Sequence, residues 1–223
     1  MQLVIGNKNY SSWSMRPWVL MKQLGIPFEE HKLRFDFTEG SAYRQAIGRI
    51  SPTGLVPVLV DQGHVVWDTL AIAEYLAERH TGVWPADALQ RAHARSLSAE
   101  MHSGFGALRS HCPMNIEASL PEVGARIWRE QMEVQRNVAR LESAFANCLA
   151  DSGGPFLFGA FCAADAMFAP VCMRLLTYGL PVSDTTRDYV QRVAAAPGVA
   201  AWITDALAEQ DFLDFEEPYR TRR

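Results

Sequence analysis

The stretch Ser51–Leu76, SPTGLVPVLVDQGHVVWDTLAIAEYL, decides how the rest of the chain is read. Val58–Val60 and Val65–Trp67 are β-branched and aromatic runs separated by Asp61, Gln62 and Gly63, the signature of a hairpin with a short turn. Asp68 and Thr69 then open a helix in which Leu70, Ala73, Leu76 and Ala77 share one face, with Glu74, Glu78 and Arg79 elsewhere. Pro57 has no N–H for a ladder, so it belongs at the strand's boundary, where a cis bond turns the chain sharply.

Working outward toward the N-terminus, Gln2–Ile5 is a short apolar strand and Gly6–Ser14 a polar loop of turn formers and caps. A helix follows, with Pro17 in its first turn and Gly25 and Pro27 ending it. Phe28–Phe35 reads as a second strand and Gly40–Ile47 as a short helix. The order strand, helix, strand, helix, hairpin, helix implies a mixed sheet flanked by helices. In the other direction, Thr81, Gly82, Trp84 and Pro85 break the pattern and mark a linker, 81–88, between a first domain, 1–80, and a second, 89–223.

The second domain reads as helical throughout. Leu89–Arg109 is one long helix; Val123–Ala150 is another, with Ile127, Val134, Val138, Leu141, Phe145 and Leu149 recurring on one face. Ala163–Tyr178 is apolar nearly all round, as expected of a central buried helix, and Pro170 should bend it. Asp184–Ala196 and Val199–Glu209 are divided by Pro197 and Gly198; the charged and aromatic tail from Gln210 has no clear assignment.

The chain has 223 residues, 48% of them hydrophobic and 21% charged, with a formal net charge of -4. Such a chain buries a substantial core and offers no electrostatic footprint for nucleic acid or an anionic membrane. MQLVIG carries no charged leader and no segment has the length of a membrane span, so cytoplasm is the default location. Cys112, Cys148, Cys162 and Cys172 have no paired spacing and read as buried fillers; the histidines have no metal-ligand spacing, so no metal site is expected.

A small αβ domain, a linker and an all-helical domain, with Val56-Pro57 before a hairpin and Asp68-Thr69 opening the next helix, resembles the cytosolic glutathione transferases. The resemblance covers nearly the whole chain. The loop YSSWSMR, Tyr10–Arg16, is most similar to the SSCSWR loop of the serine-type zeta class and puts Ser11 at that class's catalytic serine, with Ser12, Ser14 and Tyr10 as competitors for the role. The resemblance implies a thioredoxin-like first domain with a mixed four-stranded sheet, a cis Pro57, and glutathione as co-substrate held by Ser11, Val56, Pro57, Asp68 and Thr69. It also implies a homodimer, with Ile72 and Tyr75 apolar beyond the core stripe of their helix. Gly54 and Leu55 stand where the zeta pattern has polar residues, and Trp13 replaces its cysteine.

Each role has a physical reason. A thiol with a pKa near 8.5 is only a few per cent thiolate at neutral pH, and lowering that pKa by about two units takes about 2.7 kcal/mol of differential stabilisation. Ser11 or Ser12, at the mouth of the first helix, can donate an O–H to the sulfur while the helix terminus adds positive potential. Val56 can pair its backbone with an extended peptide. Asp68 suits a ligand ammonium and Thr69 a carboxylate. The expected activity is conjugation of glutathione thiolate to small hydrophobic electrophiles, with Met101, Phe105 and Met114 as pocket-lining candidates. The alternatives are an isomerase of the maleylacetoacetate isomerase type and a non-catalytic binding module on the same fold. A thiol-disulfide reductase is the least favoured reading because the first domain has no cysteine, so any redox turnover would have to run through glutathione itself.

Overall fold

The structure is a computed structural model describing residues 1–223. Its first part contains strands β1 (Gln2–Ile5), β2 (Glu29–Lys32), β3 (Val58–Asp61) and β4 (His64–Trp67), with helices α1 (Ser12–Gln23), α2 (Ala42–Ile50) and α3 (Thr69–Ala77). The sheet order is β2-β1-β3-β4: β1 pairs parallel with β2 and antiparallel with β3, and β3 and β4 form the hairpin, Val58 opposite Trp67. The expected mixed four-stranded sheet followed by an all-helical region is what forms. Alternation along β1 and β3 sends Leu3, Ile5 and Leu59 into the main core and Val4 and Val58 into a smaller cluster with Tyr43 and Ile47 of α2. β2 is shorter than expected. It is an exposed edge strand whose residues, EEHK, carry the charges that protect such an edge.

The helical part comprises α4 (Ala88–Ser103), α5 (Gly106–His111), α6 (Pro121–Glu130), α7 (Met132–Ser152), α8 (Ala163–Tyr178), α9 (Asp184–Ala195) and α10 (Pro197–Glu209), and a single 3-10 turn, Asp214–Glu216, lies in the tail. Two expected helices are each broken in two. The first breaks at Phe105, which sits at φ 56° in the left-handed region and re-aims α5. The second breaks at Gln131, φ -117° and ψ 85°, where the Gln135 amide donates to the Trp128 carbonyl the break leaves free. The apolar stripe runs on through Gln131, which is why periodicity does not reveal it. α1 likewise starts at Ser12, so Pro17 lies inside it rather than in its first turn.

α8 runs unbroken through Pro170 and is buried along almost its full length, with α1 and α4 packed against it. Its first turn is fixed by Asp165, which accepts from Cys162 N–H (3.0 Å), Leu157 N–H (3.1 Å) and the Tyr189 hydroxyl (2.9 Å), with Asp165 in the N3 role of a capping box. α10 crosses α1 closely enough that a Cβ on Gly198 would lie 2.7 Å from the Val19 carbonyl, so only glycine fits. Trp18 and Trp202 pack edge to face across this seam, and the Trp202 indole donates to the Lys8 carbonyl at 3.0 Å. All four cysteines are free and buried, and no helix is long and apolar enough to cross a membrane.

Candidate active site

The polar loop before α1 is held from several directions at once. Asn9 donates its side-chain amide to Asn115 Oδ1 (3.1 Å) and accepts Glu117 N–H (2.8 Å). Lys8, 3% exposed, pairs with Glu30 (2.7 Å) and Asp205 (2.5 Å), and its N–H donates to Glu209. These bonds place Ser11 as the cap residue of α1. Its side chain makes no cap bond, and the N–H groups of Trp13 and Ser14 have no partner, which leaves the helix start open toward an anion. The Ser11 hydroxyl donates to Ser14 Oγ at 2.7 Å, and Ser14 also accepts Gly6 N–H at 3.2 Å. Ser14 is fully buried and occupied in this way, whereas Ser11 and Ser12 both line a cavity.

Tyr10 lines the same cavity but its hydroxyl is committed: it donates to Glu217 (2.7 Å) and contacts the Asp211 carbonyl (3.3 Å). Burial, then the bond to Glu217, pushes its pKa up to about 12. A phenol so placed does not ionise near neutral pH.

Two cavities flank Trp13 and share it with Leu55 and Val56. One, of about 490 Å³, is bounded by Val56, Pro57, Asp68, Thr69, Trp67 and His102. The Val56–Pro57 bond is cis, and the Val56 N–H makes no backbone hydrogen bond. Asp68 caps α3, accepting Leu70 N–H at 2.8 Å, from a backbone at φ 73° that costs on the order of 1–3 kcal/mol for a non-glycine residue. Its other oxygen lies 3.1 Å from His102 Nε2, and His102 Nδ1 is 3.5 Å from the Thr69 hydroxyl. The second cavity, of about 560 Å³, lies on the Ser11–Ser12 side, between Phe35, Phe37 and Tyr43 of the first domain, Arg109, Met114 and Arg174 of the second, and Glu216 of the tail.

The structure thus brings Ser11, Ser12, Val56, Pro57, Asp68 and Thr69 around one pair of adjoining cavities. Of the three lining candidates only Met114 reaches one; Met101 and Phe105 are buried in the core. Ile72 is fully buried and so does not supply the free apolar surface expected on α3, whereas Tyr75 stays partly exposed with its hydroxyl donating to Asp61 at 2.8 Å. Sequence reasoning missed His102, Arg109, Arg174 and the tail carboxylates. The one signal available was Arg174, a lone cation in the otherwise apolar run AMFAPVCMRLL. No group of three or more His, Cys, Asp or Glu side chains could hold a metal ion.

A mixed αβ domain whose cis-proline edge and helix cap face a helical domain across a pair of adjoining cavities defines a two-domain architecture with its candidate site at the junction. Sequence models of the glutathione S-transferase N-terminal domain and C-terminal domain match residues 10–79 and 127–205, and the chain belongs to the glutathione S-transferase family. It is 32% identical over 104 residues to a probable maleylacetoacetate isomerase of Caenorhabditis elegans, covering 45% of this chain and 49% of that protein. It is 29% identical over 98 residues to glutathione S-transferase theta-1 of Mus musculus, covering 43% of this chain and 39% of that protein. The chain therefore spans about half the length, or less, of these relatives. Among solved structures, a Burkholderia glutathione transferase homolog with bound glutathione aligns with TM-score 0.69 and 28% identity, over 92% of this chain and 97% of that one.

Proposed function

We propose that this chain is a glutathione transferase that conjugates the glutathione thiolate to a small electrophile. The observation that carries the reading is the continuity of the two cavities past Trp13, with the uncapped start of α1 at their junction. In this reading the peptide lies along Val56, its ammonium meets Asp68 and its γ-glutamyl carboxylate meets Thr69 and the first turn of α3. Its sulfur reaches the Ser11–Ser12 end of α1. There the Ser11 hydroxyl turns from Ser14 to the sulfur, and the free N–H groups of Trp13 and Ser14 add positive potential. The electrophile enters the second cavity, and the division into domains 1–80 and 89–223 with a linker at 81–88 follows the same reading. Calorimetric binding of glutathione without conjugation across a panel of aryl halides, epoxides and isothiocyanates sinks it.

A second reading, glutathione-dependent isomerisation, is favoured by the Caenorhabditis elegans relative's name. It uses the same thiolate, and inactivity on cis-enol diketo acids removes it. A homodimer is proposed on family membership alone, since α3 does not present Ile72; a monomeric mass by light scattering overturns it.

A further inference from the structure

The second cavity is not lined as a pocket for a neutral hydrophobic molecule. Arg174, 4% exposed, donates Nε to the Cys112 carbonyl at 2.9 Å and leaves Nη1 without a partner. Arg16, 2% exposed, leaves Nε and Nη1 without partners. Arg109 reaches only the His102 and Gly104 carbonyls, at 3.4 Å each. None of the three forms a salt bridge with any carboxylate, although most other arginines that are far more exposed do. Arg16 and Arg109 lie over the Trp13 ring at 4.1 and 4.9 Å from its centroid, and Arg109 and Arg174 both line the cavity, so Arg109 links the other two guanidiniums.

That arrangement opposes folding. Burial, then mutual repulsion, pulls Arg174 down to about 10 and Arg16 down to about 9. An unpaired buried cation is a standing cost, and a group of them without a counterion is retained where an anion completes the site. Arg109 and Arg174 open onto about 560 Å³ of space. The one carboxylate on that cavity, Glu216, belongs to the tail and forms no ion pair with them. Phe35, Phe37 and Met114 offer apolar surface for the rest of a ligand.

We infer that the second substrate is an anionic electrophile whose carboxylate seats between Arg109 and Arg174, with Arg16 adding its charge from behind Trp13. The inference rests on the transferase reading for the direction from which sulfur attacks, but not for anion binding. The carboxylates of glutathione are the competing source of the same chemistry. They are the less favoured occupant, because the peptide's anchors at Asp68 and Thr69 line the other cavity.

The test is calorimetry on the full chain, with and without saturating S-methylglutathione, titrating 4-nitrobenzoate against 4-nitrobenzamide. The carboxylate should bind at least tenfold more tightly than the amide, with an affinity that falls as sodium chloride is added. Arg174→Met should abolish the preference, leave glutathione affinity within about twofold, and leave the urea midpoint unchanged or raised, since it deletes an unpaired buried charge. Equal affinities for the two probes overturn the inference, as does a preference that survives Arg174→Met. A loss of glutathione binding that matches the loss of benzoate binding also overturns it, by assigning the arginines to the peptide. Should Arg174→Met fail to fold, Arg109→Gln decides on the same readouts, its side chain being only part-buried. A chain that separates benzoate from benzamide yet ignores glutathione keeps the anion site and loses the transferase reading.

Discussion

The two cavities meet at Trp13 but are built in opposite ways. The smaller is nearly all local: Thr53 to Thr69 supply its walls, with Trp13 and His102 reaching in from α1 and α4. The larger is assembled from α1, the segment around Phe35, α2, α5, α8 and the tail. A local site is fixed by one hairpin and one helix cap and needs little else to form. A composite site depends on where whole helices pack, so its chemistry can change while the fold and the first site stay put.

The comparison can be broken in four ways. The largest effect should come at the junction. Ser11→Ala should lower kcat about 100-fold or more, the scale of losing one donor to a developing anion, with glutathione affinity little changed. Steady-state conjugation kinetics check this, and a larger loss from Ser12→Ala would move the sulfur to that hydroxyl. Next, Asp68→Ala should weaken glutathione by about 10- to 100-fold, the scale of a charge-assisted hydrogen bond, and cost α3 about 1 kcal/mol as a lost cap. Binding of 4-nitrobenzoate should not change. Were it to fall in parallel, the two cavities would be one site.

The tail tests the composite side. Burial alone would push Glu217 up, but its bonds from Arg220 and Tyr10 outweigh burial and hold it below the ordinary range. Its stabilising contribution is therefore fully present above the unfolded glutamate pKa, about 4.3, and is lost as pH falls through the lower folded value. Glu217→Gln should cost about 1–3 kcal/mol at pH 7, a gap that closes as pH drops below about 4. Urea midpoints at both pH values measure it, and a gap that widens in acid contradicts the assignment. The smallest effect belongs to Tyr10→Phe, about 1 kcal/mol in stability and less than about threefold in kcat, because its hydroxyl already serves Glu217. A loss equal to that of Ser11→Ala would mean that the tail lets go of Tyr10 during turnover.

What the sequence made legible follows the same division. Period-2 runs, Asp61–Gly63 and the Pro57 boundary specify the hairpin and the local cavity, because strand register and caps are short-range chemistry. The break at Gln131 was not legible, because no glycine or proline marks it and tertiary packing sets it. The break at Phe105 did carry a local signal, the flanking Gly104 and Gly106, which the apolar spacing of the segment overrode. The roles of Arg16 and Arg174 were hidden for a related reason: a buried cation reads as ordinary until the space beside it is known. Ile72 misled because a helix packed on two sides has no spare apolar face.

The clamp on the Lys8–Tyr10 loop has a consequence for how such chains can be recombined. Asp205, Glu209, Asp211 and Glu217 grip or brace residues that the ribosome makes about two hundred positions earlier. A half-made chain presents that loop untethered. A chimera that keeps this first domain and borrows a relative's helices inherits the local cavity intact, yet holds the Lys8–Ser11 loop in place only if the borrowed segment brings matching carboxylates. Shuffling at the linker should thus yield many proteins that bind the peptide and few that use it.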